Sequence, residues 1–179
     1  MLTLVVGAAA SGKSEYAESL VLSAGPARRI YIATMEPLDS ESHLRVERHR
    51  RLRAGKGFET LECYTNLPSA DVPAGSVVLL ECRGNLCANE LYSPAGSGDR
   101  AMESILAGLE HLRRQCREVV VVSNEVFSGG NRYQGDTLTY LRVLAEVNRR
   151  AAASAERVYE VVCGIPVCHK GGQMAHAGV

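Results

Sequence analysis

The chain has 179 residues, 46% of them hydrophobic, and its 20 Lys and Arg are balanced by 20 Asp and Glu. That length suits a single domain with a real core, and a net charge of zero argues against a nucleic-acid binder, whose electrostatic footprint is basic. No apolar run approaches the roughly 18 residues that cross a bilayer, and the first, LTLVV, is too short and lacks the basic flank of a signal peptide, so a cytoplasmic protein is expected.

The elements then follow in chain order. LTLVV (2–6) is a short β-rich run that stops at Gly7, and residues 13–24 have helical character up to the Gly25-Pro26 breaker. RIYIAT (29–34) is the next strand. SESHLRVERHRRLRAG (40–55) reads as a helix with Ser40 at its N-cap, a weak capping box because His43 stands where Glu is wanted, and glycines past its end. FETLEC (58–63) is a short strand and 64–75, with two prolines, a loop. SVVLLEC (76–82) and EVVVVSNE (118–125) are continuous apolar runs, the pattern of strands buried on both faces. Helices are expected over 84–92, 100–116 and 137–155, and one or two strands over 157–170. FSGGNRYQGD (127–136) is a Gly-rich loop. Strands alternating with helices predict an α/β fold with a mainly parallel sheet, as one domain over 1–170 followed by a flexible tail, 171–179. The six cysteines lack C-x-x-C pairs; Cys163, Cys168 and His169 come nearest to a cluster but fall short of a zinc ligand set.

GAAASGKS (7–14) matches G-x-x-x-x-G-K-[ST] in full, after a strand and at the start of a helix. Gly7, Ala8, Ala9, Ala10, Ser11 and Gly12 would offer backbone N–H groups to phosphate oxygens, aided by the helix N-terminus. Lys13 would reach the β- and γ-phosphates and Ser14 would ligate Mg²⁺. Such sites also need an acid at the end of a buried strand. Glu81 is favoured as that nucleotide or metal partner. Glu125 is the weaker candidate, with an equal chance of being a structural acid bonded to loop amides. With no N-K-x-D guanine-reading motif, a switch GTPase is disfavoured.

The segment RVERHRRLRAGKG (45–57) holds six basic residues around one histidine. On a helix, Arg45, His49 and Arg53 share a face. Guanidinium groups on both sides favour a neutral, nucleophilic imidazole and neutralise a phosphorus transition state beside it. These are the needs of a histidine that attacks a nucleotide phosphorus and holds it covalently. A solvated basic face fits the same pattern. Duplex binding fits less well, because no stacking aromatic precedes Phe58.

In family order, LVVGAAASGKSEYAE, YIAT (31–34), R-V-x-R-H-R-x-x-R (45–53), T-x-E (60–62), LLEC (79–82), SNEV (123–126) and VNRRAAASAERVYEVVCGI (147–165) run along nearly the whole chain. With them the sequence resembles the bifunctional adenosylcobinamide kinase/adenosylcobinamide-phosphate guanylyltransferase family of cobalamin biosynthesis. The P-loop alone is unspecific; its combination with the H-R-x-x-R, NEV and VNRRAA…CGI elements is specific. The resemblance implies a RecA-like fold, a trimer, and phosphorylation of adenosylcobinamide by ATP or GTP. It also implies GMP transfer from GTP through a guanylylated His49. By alignment, Ala33, Thr34, Met35, Arg50, Arg53, Ala54, Gly55, Lys56, Glu62 and Glu81 would contact the nucleotide. The chain departs from the family at Ala54, where proline is usual, at Phe58, where tryptophan is usual, and in the 127–136 loop. Two alternatives stand beside the two-step enzyme: a kinase-only P-loop phosphotransferase and a non-catalytic nucleotide-binding module.

Overall fold

The computed structural model describes residues 1–127 and 133–172; half of the expected Gly-rich loop (128–132) and most of the expected tail (173–179) lie outside the described residues. Strands β1 (Leu2–Gly7), β2 (Arg29–Ala33), β3 (Phe58–Glu62), β4 (Val77–Glu81), β5 (Glu118–Asn124), β6 (Arg157–Val162) and β7 (Ile165–Lys170) form one sheet. Its order is β3-β2-β4-β5-β1-β6-β7. Every pairing is parallel except β6 with β7, so the expected closing strands are a hairpin. Its two turn residues, Cys163 and Gly164, both have positive φ (50° and 81°), the geometry that continues the twist of the paired strands.

Among the described residues, five helices connect the strands: α1 (Lys13–Ser23), α2 (Ser40–Arg53), α3 (Arg83–Tyr92), α4 (Ala101–Gln115) and α5 (Gly135–Ser154). The expected loop at 64–75 holds a 3₁₀ turn, Leu67–Ser69. All five residues of β4 are buried, as its unbroken apolar run requires of a strand covered on both faces. On one face Leu86, Ile105, Leu112, Leu144 and Val147 pack against Leu4, Ile32, Val78, Leu80 and Val121. On the other, Ala17 and Val21 of α1 pack against Val5, Tyr31, Leu79, Val120 and Val122. One strand, β5, separates the P-loop strand β1 from the acid-bearing β4.

Helix α2 contributes to neither core cluster. Its cap also differs from the expectation. Asp39, not Ser40, is the N-cap: its carboxylate accepts the Ser42 N–H at 2.7 Å and the Ser42 hydroxyl accepts the Asp39 N–H at 2.9 Å. Moving the cap back one residue lets Ser42 close a full capping box, which His43 could not.

Helix α3 holds up the carboxyl ends of β2 and β3. Asn89 Nδ2 donates to the carbonyls of Thr34 (2.8 Å) and Tyr64 (2.9 Å). Arg83, at the start of α3, is fully buried; burial pushes its guanidinium down to about 10, and it donates to Asn148 of α5, which also accepts the Ser123 hydroxyl of β5. Glu90 is fully buried, and its carboxylate accepts from Asn66 N–H (2.7 Å), Ser97 N–H (3.0 Å) and the Ser104 hydroxyl (3.0 Å). Glu90→Ala removes the acceptor of three part-buried hydrogen bonds, so it should lower unfolding stability by about 3 kcal/mol, whereas exposed Asp71→Ala should change it by no more than about 0.5 kcal/mol. Urea denaturation of the two variants checks this.

Candidate functional site

The turn from β1 into α1 is built for an anion. Ala10 (φ 55°) and Gly12 (φ 88°) take left-handed backbone conformations, which curl successive N–H groups toward one point. Gly12 is the N-cap of α1, so the helix field adds to them. Space also demands glycine there: a Cβ on Gly12 would lie 3.1 Å from the Gly164 Cα, and one on Gly7 would lie 2.8 Å from the Val161 carbonyl oxygen. The loop is strapped to the β6–β7 turn by Gly164 N–H donating to the Ser11 carbonyl at 2.8 Å. Lys13 Nζ, nearly buried, lies back over the loop and donates to the Ala8 carbonyl at 3.1 Å. The buried Ser11 hydroxyl has no hydrogen-bond partner among the described residues.

Opposite the loop stands Glu81, at the end of β4. Its Oε1 accepts the Ser14 hydroxyl at 2.5 Å and its Oε2 the Tyr31 hydroxyl at 3.2 Å. Burial, then the charge of Glu81, pushes the Tyr31 phenol well above its ordinary range, so Tyr31 is the donor. Ser14 and Glu81 thus meet as the motif reading expects. The Glu125 carboxylate accepts the Phe127 N–H at 2.8 Å, the loop-amide role given as its alternative. Thr34 is buried, and its hydroxyl is spent on the carbonyls of Glu81 (3.1 Å) and Cys82 (2.8 Å); its neighbours Ala33 and Met35 keep partial exposure.

The basic segment resolves differently from its helical-wheel reading. The least exposed positions of α2 are Ser42, Val46, His49 and Arg53, spaced by 4, 3 and 4 residues, and Arg45 is exposed. His49 therefore faces inward with Arg53 but is not bracketed by Arg45, because 3.6 residues per turn carries the stripe through i+7 rather than through i+8. Arg53 is 7% exposed, and its guanidinium carbon lies 3.4 Å from the centre of the Tyr31 ring. Arg50 donates to Glu62 at 2.8 Å and lies 3.3 Å from Glu47. Lys56 pairs with Glu18 of α1. An open hollow of about 470 Å³ lies here, lined by Arg50, Arg53, Ala54, Gly55, Gly57, Phe58 and Thr60.

Residues 3–168 match the family described as cobinamide kinase / cobinamide phosphate guanyltransferase. The chain belongs to this family. It is 35% identical to the bifunctional adenosylcobalamin biosynthesis protein CobU of Escherichia coli K12, over 93% of this chain and 98% of that protein. Its identity to the CobU of Salmonella typhimurium is 34%, with the same coverage. It is 30% identical to the bifunctional protein CobP of Pseudomonas aeruginosa, over 96% of this chain and 98% of that one.

A cobinamide kinase and guanylyltransferase needs a phosphate cradle and a cationic nucleotide pocket, and the geometry supplies both. Sequence reasoning missed Tyr31 and Glu18. Tyr31 pairs in register with Leu79 of β4, so it shares a face with Glu81 two residues on, close enough for a long side chain to reach. Nothing in chain order shows that β2 and β4 are neighbours. Glu18 was hidden for a simpler reason: it reads as one more exposed acid of α1, yet it is 8% exposed.

Gly12→Ala should weaken ATP and GTP binding by about 5- to 30-fold, because the left-handed conformation alone costs an L-residue roughly 1–2 kcal/mol and tenfold is about 1.4 kcal/mol. Equilibrium dialysis, with the circular dichroism spectrum unchanged, checks it.

Proposed function

We propose that this chain catalyses both activities of its family. In the first, ATP or GTP phosphorylates the aminopropanol hydroxyl of adenosylcobinamide. In the second, the imidazole of His49 attacks the α-phosphorus of GTP and expels pyrophosphate, and the phosphate of adenosylcobinamide phosphate then takes the GMP, giving adenosylcobinamide-GDP and freeing His49. The observation that carries the second step is the inward face of α2, which places His49 on one stripe with Arg53 beside the arginine-lined hollow.

For phosphoryl transfer, Lys13 leaves the Ala8 carbonyl for the β- and γ-phosphates, and the N–H groups of residues 7–14 hold their oxygens. Ser14 Oγ and Glu81 Oε1 are two hard oxygen donors that already converge. They fit Mg²⁺, which takes one or two protein oxygens and completes its shell with phosphates and water. Bound there, Mg²⁺ offsets the negative charge of the nucleotide. For guanylyl transfer, Arg50, Arg53 and Lys56 bind the phosphates, with Arg suited to two oxygens at once. Ala33, Met35, Ala54, Gly55 and Glu62 line the nucleoside side, while Thr34 shapes the floor through its bonds to β4. Bound phosphate replaces the carboxylates of Glu62 and Glu18 as partners of Arg50 and Lys56.

We also infer a cytoplasmic homo-oligomer, a trimer by family. No helix among the described residues is long and apolar enough to cross a membrane. The apolar side chains left on the surface, Leu38 (78% exposed), Leu44 (72%), Leu52 (52%) and Ile165 (66%), are suited to contacts between subunits.

The test uses α-labelled GTP with Mg²⁺. Wild type should acquire acid-labile, base-stable label, and His49→Ala none, while His49→Ala still phosphorylates cobinamide with ATP. Lys13→Ala should slow that phosphorylation at least ~10²-fold. Phosphorylation without label on wild type would leave a kinase alone, and neither product would leave a nucleotide-binding module.

A further inference from the structure

We propose that Tyr31 is a positioning residue that joins the phosphate loop to the arginine end of α2. The proposal rests on the reading above, in which Ser14 and Glu81 face the nucleotide and its Mg²⁺ and Arg53 serves the guanylyl step. Four side chains form a continuous chain. Ser14 donates to one oxygen of Glu81 at 2.5 Å, Tyr31 donates to the other at 3.2 Å, and the Tyr31 ring carries Arg53 on its face at 3.4 Å. Each member below Ser14 is buried: Tyr31 is 4% exposed, Arg53 7% and Glu81 9%.

Arg53 shows why the ring matters. A buried guanidinium normally has a carboxylate partner. Arg53 has no ion pair among the described residues, and its Nη1 is buried without a hydrogen-bond partner. What holds its charge is the π face of Tyr31, a contact that fixes the plane of the guanidinium and leaves its N–H donors unspent. Arg53 lines the hollow with Arg50, Ala54 and Gly55, where a phosphate would meet its guanidinium. The ring is in turn fixed by Phe58, edge-on at 6.3 Å between centres, and by the hydroxyl bond to Glu81.

Glu81 is the shared element. Its two oxygens are divided between the loop and Tyr31. A divalent cation with phosphate at the loop competes for Ser14 and for Glu81, so it alters the acceptor that Tyr31 uses and thereby the seat of Arg53. Coupling of this kind is reciprocal: an anion on Arg53 feeds back on the loop. Removing the Tyr31 hydroxyl cuts the chain at one bond and leaves the ring under Arg53.

The test compares wild type with Tyr31→Phe by amide hydrogen exchange, with and without Mg²⁺ and ADP. In wild type, Mg²⁺ADP at the loop should change exchange across residues 50–57 by at least fivefold. In Tyr31→Phe that response should fall below twofold, while Mg²⁺ADP affinity stays within threefold of wild type. In parallel, the maximal rate of His49 guanylylation should drop about tenfold in Tyr31→Phe with a KM for GTP changed less than threefold. A merely structural role would move stability and both kinetic constants but spare the exchange response. The proposal is overturned if Tyr31→Phe keeps the full response, or if wild type binds Mg²⁺ADP and shows none. Failure of the underlying site reading is distinguishable, because wild type would then not bind Mg²⁺ADP at all.

Discussion

The site depends on one buried carboxylate. Glu81 ends a strand whose five residues are all buried, and a carboxylate so placed costs several kcal/mol unless donors surround it. The sheet order meets that demand from two sides. Across β5 lies the loop after β1, which brings Ser14; beside β4 lies β2, which brings Tyr31. One acid thus ties together the start of α1 and the face of β2, two places separated by 17 residues of sequence. Were β4 adjacent to β1, Glu81 would be drawn toward the loop and away from Tyr31, and the link to α2 would not exist.

The same order explains how the basic segment reaches the phosphate loop at all. β2 stands three strand positions from β1, about 14 Å at the usual ~4.8 Å spacing. Helix α1 spans that distance: it shares one apolar cluster with Val5 of β1 and Tyr31 of β2, and its Glu18 takes Lys56 from beyond the end of α2. The phosphate loop and the basic segment are therefore tied through α1 as well as through Glu81 and Tyr31.

Much of this was legible in the chain. Apolar runs located the buried strands β4 and β5, because a strand covered on both faces needs no polar alternation, and G-x-x-x-x-G-K-S located the phosphate loop. What was not legible depends on neighbours in space. The Tyr31–Glu81 bond needs the β2–β4 register. The choice between Glu81 and Glu125 turns on which strand end faces Ser14. The face of α2 was misjudged at Arg45 because i, i+4, i+8 was extended past the point where a 3.6-residue turn stays aligned. The cap lies at Asp39 rather than Ser40 for a similarly local reason: Asp39 and Ser42 close the box that Ser40 and His43 cannot.

The weakness of the contacts around α2 suits its chemistry. The helix adds nothing to either apolar cluster, and Arg53 is its single buried residue. One of its links to the body is an exposed ion pair, Arg50 with Glu62; just past its end Lys56 reaches the nearly buried Glu18. Such pairs stabilise by roughly 1 kcal/mol or less where solvent screens them. A phosphate, with more charge and more acceptor oxygens than a carboxylate, forms stronger bonds with the same cations. On the proposed function, Glu62 keeps Arg50 in place and solvated at little energetic cost and would yield to a nucleotide phosphate. Arg53 differs because a π face meets its charge without consuming a donor, so no acid competes for its guanidinium.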